Sequence, residues 1–155
     1  MFNHIMVALD ESTYSHRTLP TAIEVAKKFG ADLFVLHVSE HDRGRAAVYS
    51  LESPAEATRL VADAVEKARD AGVKASGEVR DAAAQHTART IVEVATTRGV
   101  DLIVMGSRGL SDIQGFFLGS VTHKVIHTAQ IPVLVDRAVG ASTAAAPAAK
   151  EPVTV

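Results

Sequence analysis

The residues best suited to chemistry lie in one glycine-rich segment, MGSRGLSDIQGFFLGSV (105–121), which follows a dense apolar run. Gly106 and Gly109 flank Arg108 at the start of this segment. Glycine lets backbone N–H groups approach an anion closely, and an arginine between them can add a charge-assisted hydrogen bond. Gly119 and Ser120 stand where a helical pattern begins, and the first turn of a helix attracts anions. The spacing predicts a phosphate-binding site.

Two simpler roles are open for these residues. The glycines could only form turns, and the Ser120 hydroxyl could cap the helix instead of donating to a phosphate oxygen. Three glycines and a serine at a helix start, all after one apolar run, favour the phosphate site. The sequence contains no G-x-x-x-x-G-K-[ST] and no G-x-G-x-x-G after its first strand. A Walker-type loop and an ordinary dinucleotide fingerprint are therefore excluded.

Composition narrows the class of protein. The chain has 155 residues, which indicates one domain, and its formal net charge of -2 argues against nucleic acid or an anionic membrane as partner. It contains no cysteine, which excludes disulfides, thiol catalysis and thiolate metal sites. No apolar run approaches membrane-spanning length, and the first residues do not resemble a secretion signal. A cytosolic protein is expected.

Apolar runs that alternate with helical patterns predict the elements that position the site. Strands are predicted at 4–9, 32–38, 73–79, 100–106 and 131–135, and helices at 13–29, 54–71, 87–98 and 121–128. Pro20 predicts a kink in the first helix or a late start near Thr18. Residues 39–53 are predicted to form a long loop, and the polar third strand to lie at an edge. The last 18 residues, 138–155, are rich in Ala, Pro and Thr and are expected to form a disordered tail.

Alternating strands and helices predict an α/β fold, with a parallel sheet covered by helices on both faces. Ligands of such sheets bind beyond the carboxyl ends of the strands, where the strand order reverses. Two strand ends carry unusual residues, namely Leu9-Asp10 and Met105-Gly106. We therefore expect the ligand between these two ends.

The spacing Gly106-x2-Gly109-x9-Gly119-Ser120 resembles the ATP-binding signature of the universal stress protein family. The runs IMVALDES, LFVLHV, DLIVMGSRGLS and GSVTHKVIHTAQIPVLV are also similar to that family, so the resemblance covers about residues 3–136. It implies a domain over 1–137 with an open five-stranded parallel sheet in the order 3-2-1-4-5, of the adenine nucleotide alpha-hydrolase-like type. It also implies an ATP-binding protein of stress adaptation that acts by regulation or interaction, with AMP or ADP as other candidate ligands.

The resemblance also implies roles for particular residues. Those of the nucleoside pocket are Ala8, Leu9, Asp10 and Val38, and those that hold the phosphates and ribose are Met105, Gly106, Ser107, Arg108, Gly109, Gly119, Ser120 and Val121. Asp10 could bind a ribose hydroxyl or Mg²⁺, or could cap the following helix. Glu11 departs from the glycine that many relatives carry there, and RDAAAQHTAR replaces their Gly-x-Pro turn after the third strand.

Other candidate residues suggest little further chemistry. His123 and His127 lie four residues apart, on one face of the last helix, but no third metal ligand is evident, so a polar helix surface is the expectation. His37 could border the crevice or be a satisfied buried histidine. No residue is clearly placed as a base for an attacking water, so no catalytic residue is assigned and ATP hydrolysis is expected to be slow at most.

The last strand suggests a partner. IPVLV (Ile131 to Val135) is a short apolar strand expected at an edge, and an open edge is a template for pairing. In the family that this sequence resembles, the last strand pairs with its copy in a second subunit, which implies a homodimer here. The alternative to nucleotide binding is a dimeric interaction module of the same fold without nucleotide. An adenylyl transferase is disfavoured, since YSHRTL stands where an H-x-G-H motif would be needed.

Overall fold

A sheet forms the centre of the protein. The structure is a computed structural model, which describes residues 1–11, 15–43, 48–50, 52–107 and 118–137. Its strands are β1 (His4–Leu9), β2 (Asp32–Arg43), β3 (Val48–Ser50), β4 (Ala75–Ala83), β5 (Leu102–Gly106) and β6 (Val133–Asp136). Five strands run parallel in the order β4-β2-β1-β5-β6, and short β3 pairs antiparallel with the end of β2. Counted without β3, this is 3-2-1-4-5, which confirms the predicted fold class and strand order.

Helices cover both faces of this sheet. They are α1 (Ser15–Phe29), α2 (Pro54–Asp70), α3 (Thr87–Thr97) and α4 (Ser120–Thr128). Alternate residues of β1 point to opposite sides, so that Ile5 and Val7 pack in one core with α1 and α2. Met6 packs in the second core, with α3 and α4. The two cores explain why the central strand is apolar along its whole length.

Local signals set the ends of the helices. Ser53 caps α2 by accepting a hydrogen bond from the Glu56 N–H, and the Glu56 carboxylate accepts one from the Ser53 N–H. Pro54 occupies the first turn of α2, as predicted. After α1 and α2, Gly30 and Gly72 adopt φ values of 66° and 85°, which glycine accepts without strain.

One local prediction was wrong, and one of the two alternatives given for Pro20 is excluded. The segment 39–53 is not a continuous loop, because β2 continues to Arg43 and β3 follows. The polar residues at the end of β2 are held in a strand by partners on both sides, since His41 pairs with Ala83 of β4 and with Ser50 of β3. Helix α1 begins at Ser15 and continues through Pro20, so the late start near Thr18 does not occur.

The sheet places the two predicted ligand-binding ends side by side. β1 lies between β2 and β5, and Ala8 is paired with Met105. At the opposite end of β1 and β5, the Asp101 carboxylate accepts hydrogen bonds from the backbone N–H groups of Asn3 and His4, at 2.8 and 3.1 Å. The predicted tail, Arg108 and Gly109 lie outside the described residues.

Candidate functional site

A cleft of about 320 Å³ opens at the carboxyl ends of β1 and β5, where the strand order reverses. β1, β2, β5, α3 and α4 all contribute to its walls. Nine of the twelve predicted site residues line it: Ala8, Leu9, Asp10, Val38, Met105, Gly106, Gly119, Ser120 and Val121. Ser107 follows β5 beside the cleft without lining it, and the other two, Arg108 and Gly109, are not described.

The N-terminus of α4 places backbone N–H groups at the cleft, and these groups are able to bind an anion. Gly119 is the N-cap residue, and its carbonyl oxygen accepts the hydrogen bond of the His123 N–H at 2.9 Å. The N–H groups of Ser120, Val121 and Thr122 therefore have no acceptor within the helix. The Gly119 N–H itself donates to the Ser107 carbonyl at 2.7 Å, which ties together the two ends of the glycine-rich segment. The helix, rather than Gly119, provides the amides for an anion.

A side chain locks this helix end against the sheet. The Thr122 hydroxyl is buried and donates to the Gly106 carbonyl oxygen at 2.8 Å. This bond holds the first turn of α4 beside the end of β5, so the positive end of the helix dipole lies at the cleft. Thr122 is not among the predicted site residues, since a threonine inside a helical pattern has no distinctive signal.

Asp10 occupies the opposite side of the cleft. It is half-buried and directly follows β1. The residues between Glu11 and the start of α1 at Ser15 lie outside the described ranges. The capping role that the sequence left open for Asp10 therefore stays an expectation, and Asp10 lines the cleft.

His37 and Glu52 form a buried pair in the cleft wall. The His37 Nδ1 lies 2.9 Å from the Leu9 carbonyl oxygen, and its Nε2 lies 2.7 Å from the Glu52 Oε2. Their exposed fractions are 2% and 8%. His37 is therefore both a satisfied buried histidine and a border of the cleft, which joins the two roles that the sequence left open.

The described lining of the cleft is acidic. It contains the carboxylates of Asp10, Glu11, Glu40 and Glu52 and, within the described ranges, no lysine or arginine. Partial burial, followed by the charge of Glu52, raises the pKa of Glu11, while His37 opposes this shift. Glu40 accepts a hydrogen bond from the Thr87 hydroxyl at 2.7 Å, which joins β2 to the start of α3. The cleft thus combines an anion-binding helix end with carboxylates able to bind hydroxyl groups or cations.

Sequence reasoning missed several of these residues. Glu40 and Glu52 fall in the segment predicted as a loop, and Thr87 falls in the stretch that replaces the Gly-x-Pro turn. Only Thr87 carried a signal, because it stands where a helix was predicted to begin. In the described part of the chain, no three histidines or carboxylates are grouped so as to hold a metal ion. No described helix is long and apolar enough to span a membrane.

Comparison with known proteins agrees with this geometry. Residues 1–137 match the universal stress protein family. The universal stress protein YxiE of Bacillus subtilis is 35% identical over 156 residues, a match that covers 88% of this chain and all of that protein. A universal stress protein of Archaeoglobus fulgidus, solved in complex with dAMP, superposes with a TM-score of 0.66 at 27% identity, covering 86% and 97% of the two chains. A universal stress protein solved in complex with cAMP superposes with a TM-score of 0.66 at 25% identity, covering 88% and 97%.

Proposed function

Because the chain belongs to the universal stress protein family, we propose that its cleft binds an adenine nucleotide, ATP in the first instance, and that the bound nucleotide regulates its interactions in stress adaptation. The observation that carries this proposal is the first turn of α4, whose amides lack acceptors within the helix and lie beside Gly106 in the cleft. Two relatives solved with dAMP and cAMP support the choice of an adenine nucleotide.

The residues present fit such a ligand. A volume of about 320 Å³ lies within the range of roughly 300–1,000 Å³ found for small-molecule sites. The α4 amides and Gly106 would hold the phosphates. Val38 and Met105 offer apolar walls for a base, since both are buried and line the cleft. The Asp10 carboxylate would accept a hydrogen bond from a ribose hydroxyl or bind Mg²⁺.

Mg²⁺ has a physical reason to accompany a nucleotide here. The phosphates of ATP would enter a cleft that already contains several carboxylates, and like charges repel in a partly buried site. A divalent cation between Asp10 or Glu11 and the phosphates would remove this repulsion. We propose that ATP binds with Mg²⁺, whereas AMP depends on it less.

Mass spectrometry of the purified protein tests the proposal. Acid quenching of protein prepared without added nucleotide should release adenine nucleotide in a fixed ratio to protein. Calorimetry on nucleotide-free protein should then show saturable binding of Mg²⁺-ATP with one site per chain. Absence of nucleotide in the extract together with no heat of binding at millimolar Mg²⁺-ATP would contradict the proposal.

The acidic lining favours one alternative. Without the charge of a lysine or arginine among the described lining residues, the cleft could be a surface for protein interaction that holds no nucleotide. This alternative predicts the negative result of both measurements above. It also predicts that the chain still forms its dimer.

We further propose a homodimer formed through β6. This strand pairs with β5 on one side, and the carbonyl groups of Pro132 and Asp136 accept hydrogen bonds from the β5 side. The backbone N–H and C=O groups of successive residues in a strand point alternately to its two sides. Those of Val133 and Val135 therefore point away from β5, to the free edge of the sheet. A second copy of β6 could pair there and cover these half-buried side chains.

A further inference from the structure

Helix α4 carries two histidines whose ring nitrogens converge on its exposed side. The Nε2 atoms of His123 and His127 lie 3.1 Å apart. The ring planes cross at 84° with centroids 4.3 Å apart, so the rings meet edge to face instead of stacking in parallel. Both residues are exposed, whereas Thr122 and Val125 attach the opposite side of the helix to the protein.

We propose that His123 and His127 form a surface site for a divalent transition-metal ion of the copper, nickel and zinc class. Imidazole nitrogen is a preferred ligand of these ions. With a metal–nitrogen bond of about 2.05 Å, the 3.1 Å separation of the two nitrogens subtends an angle of about 98° at the metal. This value lies between the cis angle of square or octahedral sites and the tetrahedral angle.

The helix prepares this geometry before any metal binds. Residues four apart lie on one face of an α-helix, one turn above the other. α4 is held to the sheet by the buried Thr122 hydroxyl and by the fully buried Val125, so the backbones of both histidines are fixed. Only side-chain rotations are lost on binding, which lowers the entropic cost of the site.

The two imidazoles leave the remaining coordination positions open. Among the described residues, no three histidines or carboxylates are arranged so that they could hold a metal ion, so no third protein ligand of these types completes the site there. Water or a second molecule would fill the other positions. Such a site is expected to be reversible and accessible. It does not depend on the nucleotide cleft, because neither histidine lines that cleft.

Calorimetric titration of the metal-free full-length chain tests the proposal. Cu²⁺, Ni²⁺ and Zn²⁺ should each bind saturably with one ion per chain, and Cu²⁺ should bind most tightly, as its position in the Irving–Williams order requires. His123→Ala and His127→Ala should each lower the affinity for Cu²⁺ by on the order of tenfold or more. His86→Ala removes another exposed histidine outside α4 and should leave the affinity unchanged.

A composition-matched variant separates the pair from the mere presence of histidine. Exchanging two neighbours, His127→Thr with Thr128→His, keeps the histidine count but rotates one imidazole to about 140° from the other. This variant should bind Cu²⁺ as weakly as His127→Ala. Electron paramagnetic resonance of the Cu²⁺ complex should show two coordinated imidazole nitrogens in the native chain and one in the exchange variant.

Two results would overturn the site. One is the lack of saturable binding by the native chain at millimolar Cu²⁺, Ni²⁺ or Zn²⁺. The other is native Cu²⁺ affinity in the exchange variant, which would place the ion elsewhere. Far-UV circular dichroism of each variant verifies that α4 and the rest of the fold are intact. Since the substituted side chains are exposed, all variants are expected to fold.

Discussion

The His37 imidazole bridges the Leu9 carbonyl and the Glu52 carboxylate, with 2.7 Å between Nε2 and Oε2. A carbonyl only accepts hydrogen bonds, so Nδ1 carries a proton. His37 therefore joins the end of β1 to the buried carboxylate of Glu52.

Removal of His37 should therefore cost much more than a neutral change of Glu52. His37→Ala takes the imidazole from a buried carboxylate and from the Leu9 carbonyl, and we expect the free energy of unfolding to fall by about 3–5 kcal/mol. Glu52→Gln keeps the shape, and its amide can donate to Nε2, so a loss below about 1.5 kcal/mol is expected. Urea unfolding measures both, and equal losses would contradict the pairing.

Gly77 is predicted to be intolerant of a methyl group. A Cβ at this position would lie 2.6 Å from the Val61 Cγ1 and 2.8 Å from the Val35 carbonyl oxygen. Gly77→Ala should lower the free energy of unfolding by roughly 1–3 kcal/mol, because α2 must move away from β4.

Val61→Ala offers the control for this prediction. It removes one of the two clashing atoms, so Gly77→Ala should cost less in that background than in the native chain. Thermal unfolding of the native chain, the two single variants and the double variant gives the coupling energy between the two substitutions. If the two substitutions simply add, the close approach of α2 to β4 is not what limits residue 77.

The double change Gly106→Val with Gly119→Val tests the proposed phosphate site. Two added side chains at the end of β5 and the start of α4 should obstruct the cleft and lower the affinity for Mg²⁺-ATP at least about tenfold. Calorimetry measures the affinity and circular dichroism the fold. Lys124→Ala, an exposed change on the same helix, serves as control. Unchanged affinity in a folded double variant would count against the site.

Glu11→Gln should alter the dependence of ATP binding on Mg²⁺. Removal of one negative charge near the phosphates should tighten Mg²⁺-free ATP by roughly threefold to tenfold. Binding of Mg²⁺-ATP should change less, because the cation already offsets this charge. Calorimetry with and without chelator compares the two forms, and an equal effect on both would contradict this role.

The pH dependence of Mg²⁺-free binding follows from the same residue. Because burial and Glu52 raise the pKa of Glu11, its carboxylate takes up a proton at a higher pH than an ordinary glutamate does. Lowering the pH from neutral into mild acid should therefore strengthen Mg²⁺-free ATP binding in the native chain. Glu11→Gln should lack this part of the dependence.

Val135→Pro should prevent the proposed dimer without unfolding the subunit. The backbone of Val135 faces away from β5, so a proline there removes a donor from the free edge and leaves the β5 pairing intact. Light scattering should report a monomer. Leu134→Pro, whose backbone faces β5, should instead lower the stability of the fold. A native-like dimer of Val135→Pro would exclude pairing through β6.

The fold could be predicted well because its signals are local. Ile5–Leu9 is a continuous apolar run, Pro54 follows a capping serine, and Gly30 and Gly72 end two helices. The end of β2 could not be predicted from its own residues. SEHDR is polar, and it is held as a strand only by β3 and β4, whose positions depend on the rest of the sheet.

Only part of the candidate site could likewise be predicted from the sequence. The backbone features, glycines at a strand end and a helix start, were visible as a spacing and meet in one cleft. The side-chain features were not, because Glu52 lies 15 residues from His37 and Glu40 lies 47 residues from Thr87. Such pairs result from how helices dock on the sheet, and a carboxylate in an unremarkable polar stretch gives no local sign of burial.

The position of β1 affects how the chain folds during synthesis and how it tolerates N-terminal deletion. This strand precedes the other described strands along the chain, yet its neighbours in the sheet are β2 and β5, and Asn3 and His4 are hydrogen-bonded to Asp101. The sheet therefore cannot close during synthesis until β5 has emerged, which is typical of slowly folding, non-local topologies. Deletion of a few N-terminal residues would remove the middle of the protein instead of trimming its edge.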